Sequence, residues 1–240
     1  YNMHINYDAA HVAGLIAGGE FQDPLREGID TMTMSTHKTL FGPQGGLVLA
    51  FEKNAEVIKK ATFPGLTSSH HIHHMAAKAV TFAEALEFGK DYATQTIKNA
   101  KVLAVALNDL GFKVLGEKKG FTQSHQAVVN MLDYGDGGKI EADLEKANII
   151  VNRQLIPGDI KAKRNYMQPG GIRLGSSEVT RLGMKESEMQ QIASFIKQVV
   201  IDKKDAKEIA GQVAEFRKDY QKIEYCFDNK LGAYEYVKLR

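Results

Sequence analysis

The chain of 240 residues carries 31 lysines and arginines against 29 aspartates and glutamates, and this formal net charge of +2 argues against a general nucleic-acid binder. Hydrophobic residues make up 43% and charged residues 25%, the usage of an ordinary globular protein, so disorder as the main state is excluded. No apolar run reaches the about 18 residues of a transmembrane helix, and a lone cysteine, Cys226, fits a reducing compartment. We therefore expect a cytoplasmic protein that binds neither nucleic acid nor membranes.

Strand and helix patterns alternate in the first part of the chain. The predicted strands span residues 1–7, 31–36 and 45–51, and the predicted helices span residues 9–17 and 54–62. The first strand delivers Asp8 at its carboxyl end, and the second ends just before Lys38. Because such alternation favours an α/β sheet, we expect functional residues in the loops at the strand ends.

A long helical stretch follows, from about residue 69 to residue 110, and we expect Gly89 to divide it into two helices. Beyond it the pattern predicts an α+β unit. Its strands are predicted over residues 112–115, 126–132, 149–152 and 170–175, and its helices over residues 139–147, 185–201 and 205–220. We place a domain boundary inside the helical stretch, so that residues 1–91 form one domain and residues 92–240 another.

The segment around Lys38 carries the clearest chemical signal. A lysine at a strand end, beside hydroxyl and imidazole groups and before a glycine-rich turn, can form a Schiff base with an aldehyde cofactor. Asp8, at a neighbouring strand end, can pair with a pyridinium nitrogen. These are the two protein groups that a pyridoxal phosphate site needs most. The alternative is a solvated surface lysine and an aspartate that caps the helix beginning at Ala9.

The sequence resembles the serine hydroxymethyltransferase family, within the fold type I pyridoxal phosphate enzymes. The resemblance rests on motifs that occur in the family's order and span roughly residues 8–183. They are Asp8-x-x-His11-x-x-Gly14, Ser35-Thr36-His37-Lys38-Thr39-Leu40-x-Gly42-Pro43-x-Gly45-Gly46, Phe63-Pro64-Gly65, Gly171-Ile172-Arg173-Leu174-Gly175 and Thr180-Arg181-x-Gly183. The resemblance implies an α/β fold. Residues 1–91 would be the C-terminal part of the large cofactor-binding domain, and residues 92–240 the smaller α+β domain.

The resemblance also implies the residues that surround the cofactor. Lys38 would hold pyridoxal phosphate, and Asp8 would pair with its pyridine nitrogen. His11 would lie near the ring hydroxyl, and Ser35 and His37 beside the lysine linkage.

Two residues of the second domain are expected to bind substrates. Arg173 would bind the carboxylate of the amino-acid substrate, because a guanidinium presents a planar fork of donors; without the family, a surface ion pair explains this arginine equally well. The family's pterin-contacting asparagine is replaced by Gln154, which reaches one methylene further. The loop over residues 157–168 is basic and longer than the family's. These basic residues suggest a changed pterin, a polyanionic tail on the pterin or a different aldehyde acceptor. The alternative is an ordinary solvated loop without a binding role.

A serine pair and a histidine cluster follow the Phe63-Pro64-Gly65 motif. In the family, paired glycines at this point donate backbone N–H groups to the cofactor phosphate of the opposite subunit; this chain has Ser68 and Ser69. Backbone donation survives that change where the dihedrals allow it. The histidine cluster consists of His70, His71, His73 and His74. Histidines at helical spacing could bind zinc, but no carboxylate or cysteine accompanies them at ligand spacing, so we expect no metal site.

The implied activity is conversion of serine to glycine with transfer of a one-carbon unit to a reduced pterin, tetrahydrofolate or an analogue. In the family, a first half supplies the base, the ring-stacking histidine and the phosphate-binding hydroxyls, and none of these can be located in this chain. We therefore expect a fragment, or one of two chains. Its partner would be a second copy in a homodimer of the complete enzyme, or a chain that supplies the missing half. Two alternatives stay open: a pterin-independent β-hydroxy-amino-acid aldolase on the same site, and a catalytically incomplete subunit.

Overall fold

A computed structural model describes residues 3–228, 230 and 232–234 of the chain. By contacts the chain divides into two units, Tyr1–Thr94 and Gln95–Arg240. The division falls inside one long helix, near the boundary predicted after residue 91. The assignment of two domains itself stays a prediction.

The first unit contains a sheet in the order β1–β2–β3. Strand β1 (Asn6–Asp8) pairs in parallel with β2 (Thr31–Ser35), which pairs antiparallel with β3 (Gly46–Ala50). Because β1 and β2 are parallel, their carboxyl ends meet at the same sheet edge, where Asp8 and Ser35 lie. Helices α1 (Ala13–Ala17) and α2 (Ala55–Lys60) also belong to this unit.

Two predictions about the start of the chain need correction. The strand predicted over residues 1–7 is observed at Asn6–Asp8, while residues 1 and 2 lie outside the described residues. Helix α1 begins at Ala13 rather than residue 9, and Val12 is its N-cap. The alternative interpretation of Asp8 as a helix cap is therefore wrong. Its Oδ1 instead accepts a hydrogen bond from the backbone N–H of Ala10, at 2.9 Å.

The prediction that Gly89 divides the long helix is also wrong, because α3 runs without interruption over Ile72–Asp109. A glycine inside a helix costs only about 1 kcal/mol relative to alanine, which tertiary contacts easily offset. One such contact lies at Gly18, where an added Cβ would come within 2.5 Å of the carbonyl oxygen of Gly89. The end of α1 therefore packs directly on the backbone of α3.

The second unit contains an antiparallel sheet in the order β4–β5–β7–β6. The strands are β4 (Lys113–Val114), β5 (Gln126–Asn130), β6 (Asn152–Gln154) and β7 (Gly171–Gly175), and the helices are α4 (Gly137–Glu145), α5 (Ser177–Arg181), α6 (Glu186–Val200) and α7 (Ala206–Phe216). The predicted strand over residues 149–152 is thus displaced toward the C-terminus, and α5 was not predicted.

The hydrophobic core of the second unit lies on one face of this sheet. Val129 and Ile172 are fully buried there against helical residues such as Leu144 and Ile196. Because side chains alternate along a strand, Arg173 lies on the opposite face, where it is half-buried. Within the described parts of the chain, no helix is long and apolar enough to span a membrane.

Candidate active site

Lys38 lies in a short loop, residues 36–45, that follows the central strand β2; we call it the lysine loop. Thr36 is fully buried and holds the loop together. Its hydroxyl donates to the carbonyl of Pro43 at 2.7 Å, and its own carbonyl accepts from the N–H of Gly42 at 2.7 Å. A Cβ on Gly42 would lie 2.9 Å from the carbonyl oxygen of Thr36. These contacts give the loop a fixed path, with Lys38 half-buried at its bend.

A second buried threonine ties the lysine loop to the start of helix α1. The Thr39 hydroxyl donates to the carbonyl of His11 at 2.9 Å and accepts from the N–H of Gly14 at 3.0 Å. A Cβ on Gly14 would lie 1.9 Å from the carbonyl oxygen of Thr39, so no side chain fits there. The Asp8-x-x-His11-x-x-Gly14 motif therefore has a structural reason: it brings the segment after β1 against the segment that carries Lys38.

The other predicted cofactor residues of this unit lie around the same sheet edge. Asp8 and His11 are exposed, and Ser35, the last residue of β2, is half-buried. His37 is exposed, and its Nδ1 accepts from the N–H of Gly45 at 3.3 Å, which leaves Nε2 to carry the proton of the neutral imidazole. The structure thus brings Asp8, His11, Ser35 and His37 to the loop region that carries Lys38.

The chemistry of these donors fits pyridoxal phosphate. The cofactor needs an amine for its aldehyde and a carboxylate for its pyridine nitrogen, and Lys38 and Asp8 provide both at adjoining strand ends. The imidazoles of His11 and His37 add polar groups beside them.

Ser68 and Ser69 lie exposed in an irregular segment just before helix α3. The backbone there is neither helix nor strand. His70 and His71 belong to the same irregular segment, whereas His73 and His74 lie in the first turn of α3 with their ring centroids 4.3 Å apart. The pKa of His74 is lower than the ordinary value of histidine. The main cause is partial desolvation, and the positive charges of His73, His71 and Lys78 add smaller effects in the same direction. In the part of the chain that the structure describes, no group of three or more potential ligands could hold a metal ion.

A second lysine, which was not predicted from the sequence, lies beside the lysine loop. Lys78 on α3 reaches back so that its Nζ donates to the carbonyl of Gly46 at 3.4 Å. A Cβ on Gly45 would lie 2.5 Å from the same Nζ. Only the contact between α3 and the end of the loop reveals this residue, since the sequence places it within an ordinary helical pattern.

The predicted substrate residues of the second unit share one face of its sheet. Asn152 on β6 lies directly opposite Arg173 on β7, and Gln154 lies opposite Gly171. The Arg173 Nη2 donates to Asn152 Oδ1 at 3.2 Å, a contact that was not predicted from the sequence. Gln154 is half-buried, and its amide donates to the carbonyl of the next residue, Leu155, at 3.1 Å.

The basic loop over residues 157–168 is fixed at its base by a buried aspartate. Asp159 is 2% exposed, and its Oδ2 accepts from the N–H groups of Ile156 at 2.9 Å and Gly170 at 2.8 Å. The Arg164 guanidinium lies 3.7 Å from its other oxygen, while Lys161 and Lys163 are exposed. The loop therefore presents two exposed lysines from an anchored base.

A comparison with models of protein families identifies the family of this chain. The model of the family described as serine hydroxymethyltransferase matches residues 2–196 of this chain. The chain belongs to the serine hydroxymethyltransferase family. The resemblance drawn from the motifs is thereby confirmed.

Curated relatives carry the same name. A serine hydroxymethyltransferase of Nitrosopumilus maritimus is 80% identical over 240 residues, which are 100% of this chain and 54% of that protein. One of Cenarchaeum symbiosum is 73% identical over 99% of this chain and 54% of its own length. One of Pyrococcus furiosus is 54% identical over 94% of this chain and 54% of its own length. The chain thus spans about half the length of the curated relatives that it matches.

A solved structure has the same fold. The L-threonine transaldolase from Pseudomonas fluorescens, in its internal aldimine state, superposes with a TM-score of 0.85 and 35% sequence identity over 95% of this chain and 52% of its own. The predicted α/β fold of the fold type I pyridoxal phosphate enzymes is confirmed by this likeness.

Proposed function

We propose that this chain forms the C-terminal portion of a pyridoxal phosphate-dependent serine hydroxymethyltransferase of amino-acid and one-carbon metabolism. The enzyme would cleave the Cα–Cβ bond of serine, give glycine and pass a one-carbon unit to a reduced pterin. The observation that carries the proposal is the lysine loop, in which Thr36 and Thr39 fix Lys38 at the sheet edge that also bears Asp8.

When bound, pyridoxal phosphate supplies an aldehyde that condenses with an amine and a pyridine ring that withdraws electrons from the bond broken at Cα. Lys38 would hold the cofactor through its amine. The Asp8 carboxylate would keep the proton on the pyridine nitrogen. His11 would bind the ring hydroxyl, while Ser35 and His37 would orient the lysine side of the ring.

The second unit would hold the two substrates. The Arg173 guanidinium would bind the carboxylate of serine, which fixes the orientation of Cα in the site. The Gln154 amide would bind the pterin, which we take to be tetrahydrofolate or an analogue. The half-buried positions of both residues on one sheet face support these roles.

We further propose that the complete enzyme is a cytoplasmic homodimer, or that a separate chain supplies the part missing here. Ser68 and Ser69 would donate backbone N–H groups to the cofactor phosphate of the second subunit. Their exposure and irregular backbone support a role in contacts with another protein surface.

The test is a serine cleavage assay on the complete enzyme with and without tetrahydrofolate. We expect cleavage that depends on the pterin, and loss of both activity and the visible absorbance of the lysine-bound cofactor in Lys38→Ala. The control is Lys90→Ala, an exposed lysine of the same unit, which should change neither. Persistent cofactor absorbance in Lys38→Ala would overturn the assignment.

The same assay separates the alternatives. If the enzyme cleaves threonine and the pterin does not stimulate its cleavage of serine, the protein is a pterin-independent aldolase that uses the same residues. A chain of 240 residues that retains pyridoxal phosphate only after a second polypeptide is added would identify a catalytically incomplete subunit.

A further inference from the structure

Two arginines of the second unit lie on adjacent strands but have different partners. Arg153 on β6 forms an ion pair with Glu141 of α4, so its charge is neutralised within the protein. Arg173 on β7 instead donates to the amide oxygen of Asn152. Among the residues that the structure describes, Arg173 forms no ion pair with a carboxylate. Its positive charge is therefore available to an anionic ligand, whereas that of Arg153 is not.

The uncharged side chain of Asn152 is a suitable partner for an arginine that binds an anionic ligand. A carboxamide oxygen accepts one of the five N–H donors of a guanidinium and leaves the others to bind a carboxylate. A carboxylate in the same place would cancel the charge and compete with the ligand. Asn152 thus limits the rotation of Arg173 without reducing its attraction for an anion.

The strand pairing sets this contact. Asn152 and Arg173 are directly opposite in the antiparallel β6–β7 pair, where side chains lie on one face at contact distance. Strand β6 is also held by the backbone N–H of Arg153, which donates to the Glu141 carboxylate at 3.1 Å, and β7 also pairs with β5. The backbone under Asn152 is therefore held in register with Arg173.

We propose that Asn152 is a positioning residue that holds the Arg173 guanidinium ready for the substrate carboxylate. This inference rests on the proposed function, in which Arg173 binds the amino acid. Asn152 does not itself touch the substrate in this account; it lowers the number of side-chain conformations that Arg173 loses when the ligand binds.

The experiment measures binding of glycine and serine to the complete cofactor-loaded enzyme by calorimetry, together with KM and kcat. Asn152→Ala should weaken binding and raise KM about tenfold, the usual effect of freeing one long side chain, with kcat changed much less. Asn152→Asp preserves the shape but places a carboxylate on Arg173, so binding should weaken by about a hundredfold.

The matched control is Asn130→Ala. Asn130 on β5 lies on the same face of the sheet as Arg173, and its Oδ1 accepts a local hydrogen bond from the N–H of Leu132 at 3.0 Å. Binding and KM should stay within about twofold of the parent, because no hydrogen bond joins Asn130 to Arg173 among the described residues. Unchanged circular dichroism in Asn152→Asp would show that the isosteric variant folds.

A double-mutant cycle separates positioning from other roles. If Asn152 acts through Arg173, Arg173→Ala combined with Asn152→Ala should bind glycine no more weakly than Arg173→Ala alone. Additive losses, or unchanged binding in both Asn152 variants while Arg173→Ala weakens it, would overturn the inference but leave the proposed function standing. Unchanged amino-acid binding in Arg173→Ala would instead refute the proposed role of Arg173.

Discussion

The two units differ in how much apolar surface they bury. The second unit surrounds its sheet face with a large buried cluster that draws on α3, α4, α6 and α7. The buried cluster of the first unit is small: Ala9, Ala13, Met32, Met34 and Leu40. In that unit Leu66 and Leu86 are 87% and 91% exposed. Stability should therefore come mainly from the core of the second unit, while the exposed leucines of the first unit offer apolar surface to further protein.

Leucine truncations in each unit should give the largest contrast. Leu144 is fully buried in the second unit, so Leu144→Ala should lower the free energy of unfolding by about 2–5 kcal/mol. Leu86→Ala in the first unit removes an exposed side chain and should change it by less than about 0.5 kcal/mol. Urea denaturation followed by circular dichroism measures both. Equal losses would mean that Leu86 is buried in solution and that the contrast between the units is wrong.

Glycine substitutions should separate the tightly packed lysine loop from an exposed position on helix α7. Gly14→Ala forces a Cβ against the carbonyl of Thr39, so we expect about 1–3 kcal/mol of destabilisation and loss of bound cofactor from the complete enzyme. Gly211 lies in α7 with nothing near its Cβ position, and Gly211→Ala should stabilise by about 0.5–1 kcal/mol. Thermal unfolding and the cofactor content of the purified proteins give the two readings. A Gly14→Ala enzyme that retains its cofactor would contradict the packing described for the lysine loop.

The buried aspartate of the basic loop should also matter to stability. Asp159→Ala leaves the N–H groups of Ile156 and Gly170 without their acceptor, which should cost about 1–3 kcal/mol. Limited proteolysis should then cut within residues 157–168 first. Asp109→Ala, at an exposed helix end, is the control and should stay within about 0.5 kcal/mol. A loop as resistant to protease in Asp159→Ala as in the parent would show that Asp159 does not anchor it.

The sequence predicted the elements whose signals are local. The strand before Lys38 follows from hydrophobic pattern, the strand predicted over residues 1–7 is observed only at Asn6–Asp8, and the lysine block identified the family. Helix α5 was missed because it has only 5 residues, and a distant side chain supports it: the Asn99 amide donates to Thr180 at 2.9 Å. The contact of Asn152 with Arg173 depends on a strand register that hydrophobic pattern does not fix. Long-range packing of this kind leaves no local signal in the sequence.

The smallest predicted effect concerns an ion pair of the second unit, between the exposed Lys98 and the half-buried Glu186. The pKa of Glu186 is lowered mainly by the hydrogen bond from Lys98 and, to a smaller extent, by a hydrogen bond from the backbone N–H of Glu186 itself. A carboxyl group whose pKa is lowered on folding stabilises the protein above its ordinary pKa, and this stability is lost as pH falls through the folded-state pKa. Lys98→Met should thus lower the free energy of unfolding at pH 7 by at most about 1 kcal/mol, and the difference should shrink on acidification.

Urea denaturation of both proteins from pH 7 down to about pH 3 measures this dependence across the ordinary range of a glutamate. Lys101→Met is the control, since Lys101 is an exposed lysine of the same helix without an ion pair among the described residues. A difference for Lys98→Met that stays constant with pH would assign the effect to packing rather than to the charge of Glu186.

The identity of the cofactor lysine can be measured without any substitution. The complete enzyme is reduced with borohydride, digested and analysed by mass spectrometry for a pyridoxyl phosphate adduct. We predict the adduct on the peptide that contains Lys38 and an unmodified Lys78, although Lys78 lies beside the loop that contains Lys38. An adduct on Lys78, or on neither lysine while the enzyme holds the cofactor, would contradict the site described for this chain.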